Sequence, residues 1–242
     1  MAITETDHAK NAVRERIWDL LEREQAVPES GVHGRIPNFN GAAPAAERLA
    51  ALPVWESARV IKAVPDRAQE PVRALALEAG RLVYMAVPKL ADKLPFYLLD
   101  PQNLSVPLAE AADRAVAARI ARKVGVEEMR PVDLVICGSV VVNRQGVRLG
   151  KGAGYSDIEV ALLQEAGLIS DGTTIVTTVH PLQVIDDDLP ETEHDFRVDL
   201  IVTPDEVIPC GPPKRSQGLV WEHLTPEKIA AIPVLAARAT SR

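Results

Sequence analysis

The strongest constraint on the fold is an alternation in the second half of the chain. Short runs rich in β-branched residues, Val132–Cys137, Thr174–Val179 and Val198–Val202, alternate with a helical segment, Asp157–Ala166, that Gly167 stops, and with polar loops. Strands separated in this way favour parallel pairing, which needs crossovers and places helices on both faces of the sheet. The expected class is therefore α/β.

The first half fits the same plan. Ala9–Ala26 reads as an amphipathic helix, with Val13, Ile17, Leu20 and Leu21 at helical spacing and Pro28 beyond its end. A second helix is expected from Ala45 to Leu52, and strands over Ala58–Val64 and Leu82–Val87, each closed by a proline. Val72–Ala79 fits helix or strand. Residues 88 to 108 carry several prolines and read as irregular, and Ala-rich Leu108–Val124 as one helix. Val140–Val142 extends or follows the strand before it. The tail after Pro209, with a short helix near Pro226–Ile232, reads as an appendage, 209–242, packed on a core domain, 1–208.

Composition excludes several classes. Hydrophobic residues make up 47% and charged residues 25% of 242, as in a globular chain. Acidic residues outnumber Lys and Arg by 34 to 27, for a net charge of -7, and aromatics are only 4%. Both argue against nucleic acid as the main partner. Two cysteines, Cys137 and Cys210, make no disulfide framework and suit a reduced, cytoplasmic setting. The first eight residues contain acids and no apolar core, so no secretory signal is expected, and no apolar run is long enough for a bilayer.

The segment Gly146-Val-Arg-Leu-Gly-Lys-Gly-Ala-Gly-Tyr-Ser-Asp157 places four glycines between an expected strand and an expected helix. Glycines let backbone amides converge on a ligand, the helix start adds its positive end, and Arg148 and Lys151 add full charges. This is the physics of an anion cradle, with phosphate the commonest occupant. It is neither a P-loop nor a dinucleotide fingerprint, because Gly146 and Gly150 stand too close and Gly152 replaces the required hydroxyl. A flexible turn is the plain alternative.

Leu189–Asp199 clusters acids and His194 before a strand. Carboxylates at the mouth of such a cradle suit Mg²⁺, and Asp157 and Asp195 are the candidates; an acidic surface loop is the alternative. His180 reads as structural. Lys10 and Arg14 lie one helical turn apart, and periodicity alone makes them a solvated basic pair. No zinc spacing and no nucleophile elbow occurs, so the chemistry points to phosphate binding and transfer.

These residues together resemble the 5-formyltetrahydrofolate cyclo-ligase family, the methenyltetrahydrofolate synthetases. The family opens with Lys and Arg four apart, as Lys10 and Arg14 stand here. Its Gly-x-Arg-Leu-Gly-x-Gly-x-Gly-Tyr-Tyr-Asp is similar to Gly146–Asp157. Its Leu-Pro-x-x-x-His-Asp, with a later Asp and Thr, is similar to Leu189, Pro190, His194, Asp195, Asp199 and Thr203, and Gln183 also falls on a family Gln.

The resemblance implies a three-layer α/β/α fold with a mostly parallel central sheet. It implies ATP and a reduced folate as small-molecule partners, with ATP phosphorylating the formyl oxygen of 5-formyltetrahydrofolate before ring closure to 5,10-methenyltetrahydrofolate. By position, Lys10, Arg14, Arg148, Leu149, Gly150, Lys151, Gly152, Ala153, Gly154 and Tyr155 would bind ATP. Arg148, Lys151 and Tyr155 would be the catalytic groups, and Asp157 and Asp195 would hold Mg²⁺.

The chain departs from the family pattern at Lys151, Ala153, Ser156 and Ile158, at Cys137-Gly138, and between Pro65 and Leu77, where the folate-binding Glu-Val-Asp-Thr has no match. Arg35–Gly41, Ala45-Ala46 and Pro71–Arg73 instead resemble the branch named methenyltetrahydrofolate synthetase domain-containing proteins. An ATP-binding member acting on another small substrate, or a non-catalytic one, is the alternative reading.

Overall fold

The computed structural model describes residues 5–215 and 218–240. In chain order the first half gives α1 (Glu5–Arg23), α2 (Ala42–Ala50), α3 (Pro53–Ser57), β1 (Val60–Ala63), α4 (Glu70–Glu78), β2 (Leu82–Ala86), β3 (Phe96–Leu99), α5 (Leu108–Ala111), α6 (Arg114–Ile120) and β4 (Arg122–Val124). The second half gives β5 (Leu134–Cys137), β6 (Val141–Asn143), β7 (Arg148–Leu149), α7 (Tyr155–Glu165), β8 (Thr174–Thr178), β9 (Val184–Ile185), β10 (Leu200–Val202), β11 (Val207–Pro209), α8 (Pro226–Ala231) and α9 (Pro233–Ala239).

Among the described residues, eight strands form one sheet in the order β11-β10-β8-β5-β1-β2-β3-β4. The central run from β10 to β2 is parallel, and the edge strands β11, β3 and β4 are antiparallel. The central strands are buried on both faces, and their side chains alternate between two cores. Val60, Val135 and Cys137 face the core beneath α7, while Ile61, Ala63, Leu134 and Ile136 face the one beneath α2 and α4. The result is an α/β fold with helices on both faces of a mostly parallel sheet.

Three expectations from sequence are corrected. The stretch 88–108 contains β3, whose Phe-Tyr-Leu-Leu pairs with β2 despite flanking prolines. Leu108–Val124 is two short helices and a strand. Asp113 accepts hydrogen bonds from the amides of Ala115 and Val116, so it caps a new helix, and edge pairing with β3 then draws Arg122–Val124 out of the helix that the alanines favour. Beyond Pro209 there are two helices, and Ile232, Val234 and Leu235 are buried in the α7-side core. The ambiguous segment 72–79 lies in α4, and 140–142 opens a separate strand, β6.

A small second sheet, β7-β6-β9, stands apart from the large one. α1 docks on it through Ile17, Trp18 and Leu21, which pack against Val140, Val141, Val147 and Leu149. Burying each such aliphatic side chain is worth about 1.5–3 kcal/mol, enough to fix the helix against the sheet. β7 leads directly into the Gly-rich loop, and the loop into α7, so α1 and the loop share one support. Among the described residues no helix is long and apolar enough to cross a membrane.

Candidate anion-binding site

The stripe that docks α1 carries Lys10 and Arg14 with it, so both are buried rather than solvated. Lys10 Nζ donates to Asp195 Oδ2 at 2.5 Å, and the same oxygen accepts from the Thr192 amide and hydroxyl. Arg14 Nε donates to the Gly150 carbonyl at 2.6 Å and its Nη1 to Asn11. The basic pair therefore reaches both the acidic segment and the Gly-rich loop.

Arg148 leaves β7 into a buried position. Its Nη2 donates to the Gly138 carbonyl at 3.1 Å, its Nη1 lies 3.4 Å from Asp157 Oδ1, and its guanidinium sits 4.8 Å above the Phe196 ring. Its Nε is buried and, among the described residues, has no hydrogen-bond partner. The glycines make room for these cations. A Cβ at Gly150 would lie 2.6 Å from Arg148 Nη2, and one at Gly154 would lie 2.9 Å from Lys228 Nζ. Gly154 also caps α7 at φ 68° and, among the described residues, no side chain caps it, which leaves the first amides of the helix for another acceptor.

Burial pushes the Asp157 carboxyl above its ordinary range; Arg148 pulls the other way and neighbouring Asp195 adds to the rise. Burial also acts on Asp195, but the hydrogen bond and charge of Lys10 and the Thr192 bonds outweigh it and hold the group below the usual carboxylate range. Burial lowers Arg14, with Arg148 adding to the effect. Burial lowers His194 as well, against the pull of Asp195 and Asp157.

Among the described residues no three His, Cys, Asp or Glu side chains converge into a metal cluster. The two aspartates nevertheless suit Mg²⁺. They are hard oxygen donors close enough to repel each other, and Mg²⁺ typically takes one or two carboxylates plus phosphate oxygens and water.

The structure thus brings together Lys10, Arg14, Arg148, Gly150, Gly152, Gly154, Asp157 and Asp195. The other sequence candidates make contacts of their own beside it. Lys151 is exposed and lies 3.8 Å from Asp66. Leu149 packs into the small core under α1. Tyr155 is half-buried against the α7-side core. Ala153 contributes its carbonyl, which accepts from Lys228 Nζ at 2.7 Å. His180 accepts from the Leu182 amide and caps a short turn, while buried Gln183 donates to the Ser139 and Val140 carbonyls.

Sequence reasoning missed Lys228 and His223. Both line one cavity with Gly154, Asp157 and His194. The only local signal was Thr225-Pro226, which starts a helix and puts Lys228 in its first turn.

The family model of the 5-formyltetrahydrofolate cyclo-ligase family matches residues 6–204. A mouse protein named methenyltetrahydrofolate synthase domain-containing protein is 38% identical over 239 residues, covering 96% of this chain and 63% of its own length. The cattle protein of the same name is 36% identical over 234 residues, covering 94% of this chain and 61% of its own. The chain thus spans about three fifths of the length of the curated relatives it matches. The solution structure of 5,10-methenyltetrahydrofolate synthetase from Aquifex aeolicus superposes with a TM-score of 0.53 at 19% identity, over 88% of this chain and 98% of that one. At that identity the likeness speaks to the fold.

Proposed function

The chain belongs to the 5-formyltetrahydrofolate cyclo-ligase family, and on that premise we propose that it uses Mg-ATP to convert 5-formyltetrahydrofolate to 5,10-methenyltetrahydrofolate. The formyl oxygen, a poor leaving group, is first phosphorylated. The nearby N10 amine nitrogen then attacks the formyl carbon and gives up its proton, and phosphate departs with that oxygen.

The observation that carries this reading is the convergence of Lys10, Arg14 and Arg148 with Asp157 and Asp195 on one Gly-rich loop at the start of α7. Phosphoryl transfer asks for positioning and charge neutralisation more than for a protein nucleophile. Arg148, held by the Gly138 carbonyl and by Phe196, gives a fixed cation for the transferring group. Arg14 fixes the loop from outside through the Gly150 carbonyl. Lys10 keeps Asp195 ionised, ready to serve with Asp157 as a ligand. Asp157 and Asp195 would hold Mg²⁺, which would supply neutralisation of part of the phosphate charge.

The test is direct. Purified protein with Mg-ATP and 5-formyltetrahydrofolate should develop methenyltetrahydrofolate absorbance and release ADP in equal amount. Folded protein that binds both substrates and yields neither product would refute the proposal.

One observation favours a second reading, the same chemistry on another small substrate. The family pattern has Arg where Ile158 stands, and Ile158 is buried in the core, so that position supplies no charge for a substrate. Thermal-shift screening of small molecules with Mg-ATP present would separate the two.

A further inference from the structure

The segment beyond residue 204, which the family model does not reach, contributes to the same site. Thr225 accepts from the Lys228 amide, and Pro226 sets the first turn of α8. That turn carries the Lys228 ammonium onto the loop, where it donates to the Ala153 carbonyl at 2.7 Å. It occupies the space that the missing Cβ of Gly154 leaves.

Lys228 is half-buried and, among the described residues, in ion-pair contact with no carboxylate. A lysine has three N–H donors, and one backbone carbonyl uses one of them. A partly desolvated ammonium with spare donors calls for an anion. The cavity beside it supplies the place. It is walled by Gly154, Asp157 and His194 from the family-matched part and by His223, Leu224 and Lys228 from the extension. With Lys228 counted, four cations surround the two carboxylates of the site: Lys10, Arg14, Arg148 and Lys228. That surplus of positive charge suits a polyphosphate.

We propose that Lys228 is a direct phosphate-binding residue, supplied by the C-terminal extension, that contacts a non-bridging oxygen of the polyphosphate bound on the Gly-rich loop. The proposal rests on the Mg-ATP reading only for the identity of the nucleotide; the contact itself requires an anion of phosphate chemistry.

The experiment is calorimetric titration of Mg-ATP, and separately of inorganic tripolyphosphate, into the wild-type chain and into Lys228→Gln, Lys228→Met and Lys228→Arg. Unfolding midpoints without ligand show that each variant is folded. Gln can still donate to the Ala153 carbonyl but carries no charge, whereas Met can do neither. Lys228→Gln and Lys228→Met should therefore lose affinity alike, by about tenfold or more, and Lys228→Arg should keep most of it. Equal affinity in wild type and Lys228→Gln would overturn the proposal, because Lys228 would then only tether the loop. Tripolyphosphate binding that depends on Lys228, without ATP binding, would uphold the contact and refute the nucleotide reading. Binding of neither by the wild type would refute both.

Discussion

Lys10 and Asp195 meet at 2.5 Å although 185 residues separate them, and both are buried. The pair joins the N-terminal helix to the acidic segment, so it serves stability and the site together. Lys10→Met strands a buried carboxylate and should cost about 3 kcal/mol in urea unfolding. A loss of under half that would mean that the Thr192 bonds suffice to hold Asp195.

The same pair fixes a pH dependence. Asp195 lies below the usual carboxylate range in the folded state, so its stabilisation is complete above its unfolded pKa and disappears as pH falls through the lower folded value. Unfolding midpoints measured from pH 6 down to pH 3 should drop below about pH 4, and less steeply in Lys10→Met. Superimposable profiles would contradict this.

Asp157 has the opposite sign. Burial raises its pKa, so the folded state holds that proton more tightly and stability falls as pH rises above the unfolded carboxylate value. Asp157→Asn should raise the ligand-free midpoint at pH 7 while removing the Mg²⁺-dependent part of triphosphate binding. A lower midpoint would show that the Arg148 contact outweighs the burial.

On β1, Lys62 is wholly buried and donates to Glu159 of α7. Burial drives Glu159 upward, and Lys62 works against that rise. Lys62→Met alone should cost about 3–5 kcal/mol, because it leaves Glu159 buried and unpaired. Lys62→Met with Glu159→Leu should recover most of the loss. A double variant as unstable as the single one would show that packing, not charge, is what the pair contributes.

Gly154 adopts φ 68°, a conformation in which a Cβ is strained and would also press on Lys228. Gly154→Ala should lower stability by about 1 kcal/mol and weaken triphosphate binding further. Gly172→Ala, at an ordinary φ with its nearest neighbour 3.6 Å away, is the matched control and should leave binding unchanged.

The α/β class was legible because β-branched runs and helical segments alternate cleanly from Val132 onward. What stayed hidden was set by distant partners. Phe96–Leu99 has too few residues between prolines to announce a strand, and Arg122–Val124 follows an Ala-rich stretch that favours helix until β3 offers an edge. In the site, the Gly-rich loop was plain from composition. Burial of Lys10 and Arg14 was not, since periodicity cannot distinguish a cation that faces water from one that faces a loop more than a hundred residues on. Lys228 was hidden in the same way: its partner is the backbone of Ala153, and no side-chain pattern marks a carbonyl.

The loop carbonyls at Gly150 and Ala153 are braced from opposite directions along the chain, by Arg14 and by Lys228. A nascent polypeptide released as far as Pro209 already holds every strand of both sheets, yet lacks one brace. The segment beyond Pro209 thus does two jobs at once, closing the α7-side core through Ile232, Val234 and Leu235 and steadying the loop through Lys228, so its removal would unsettle both.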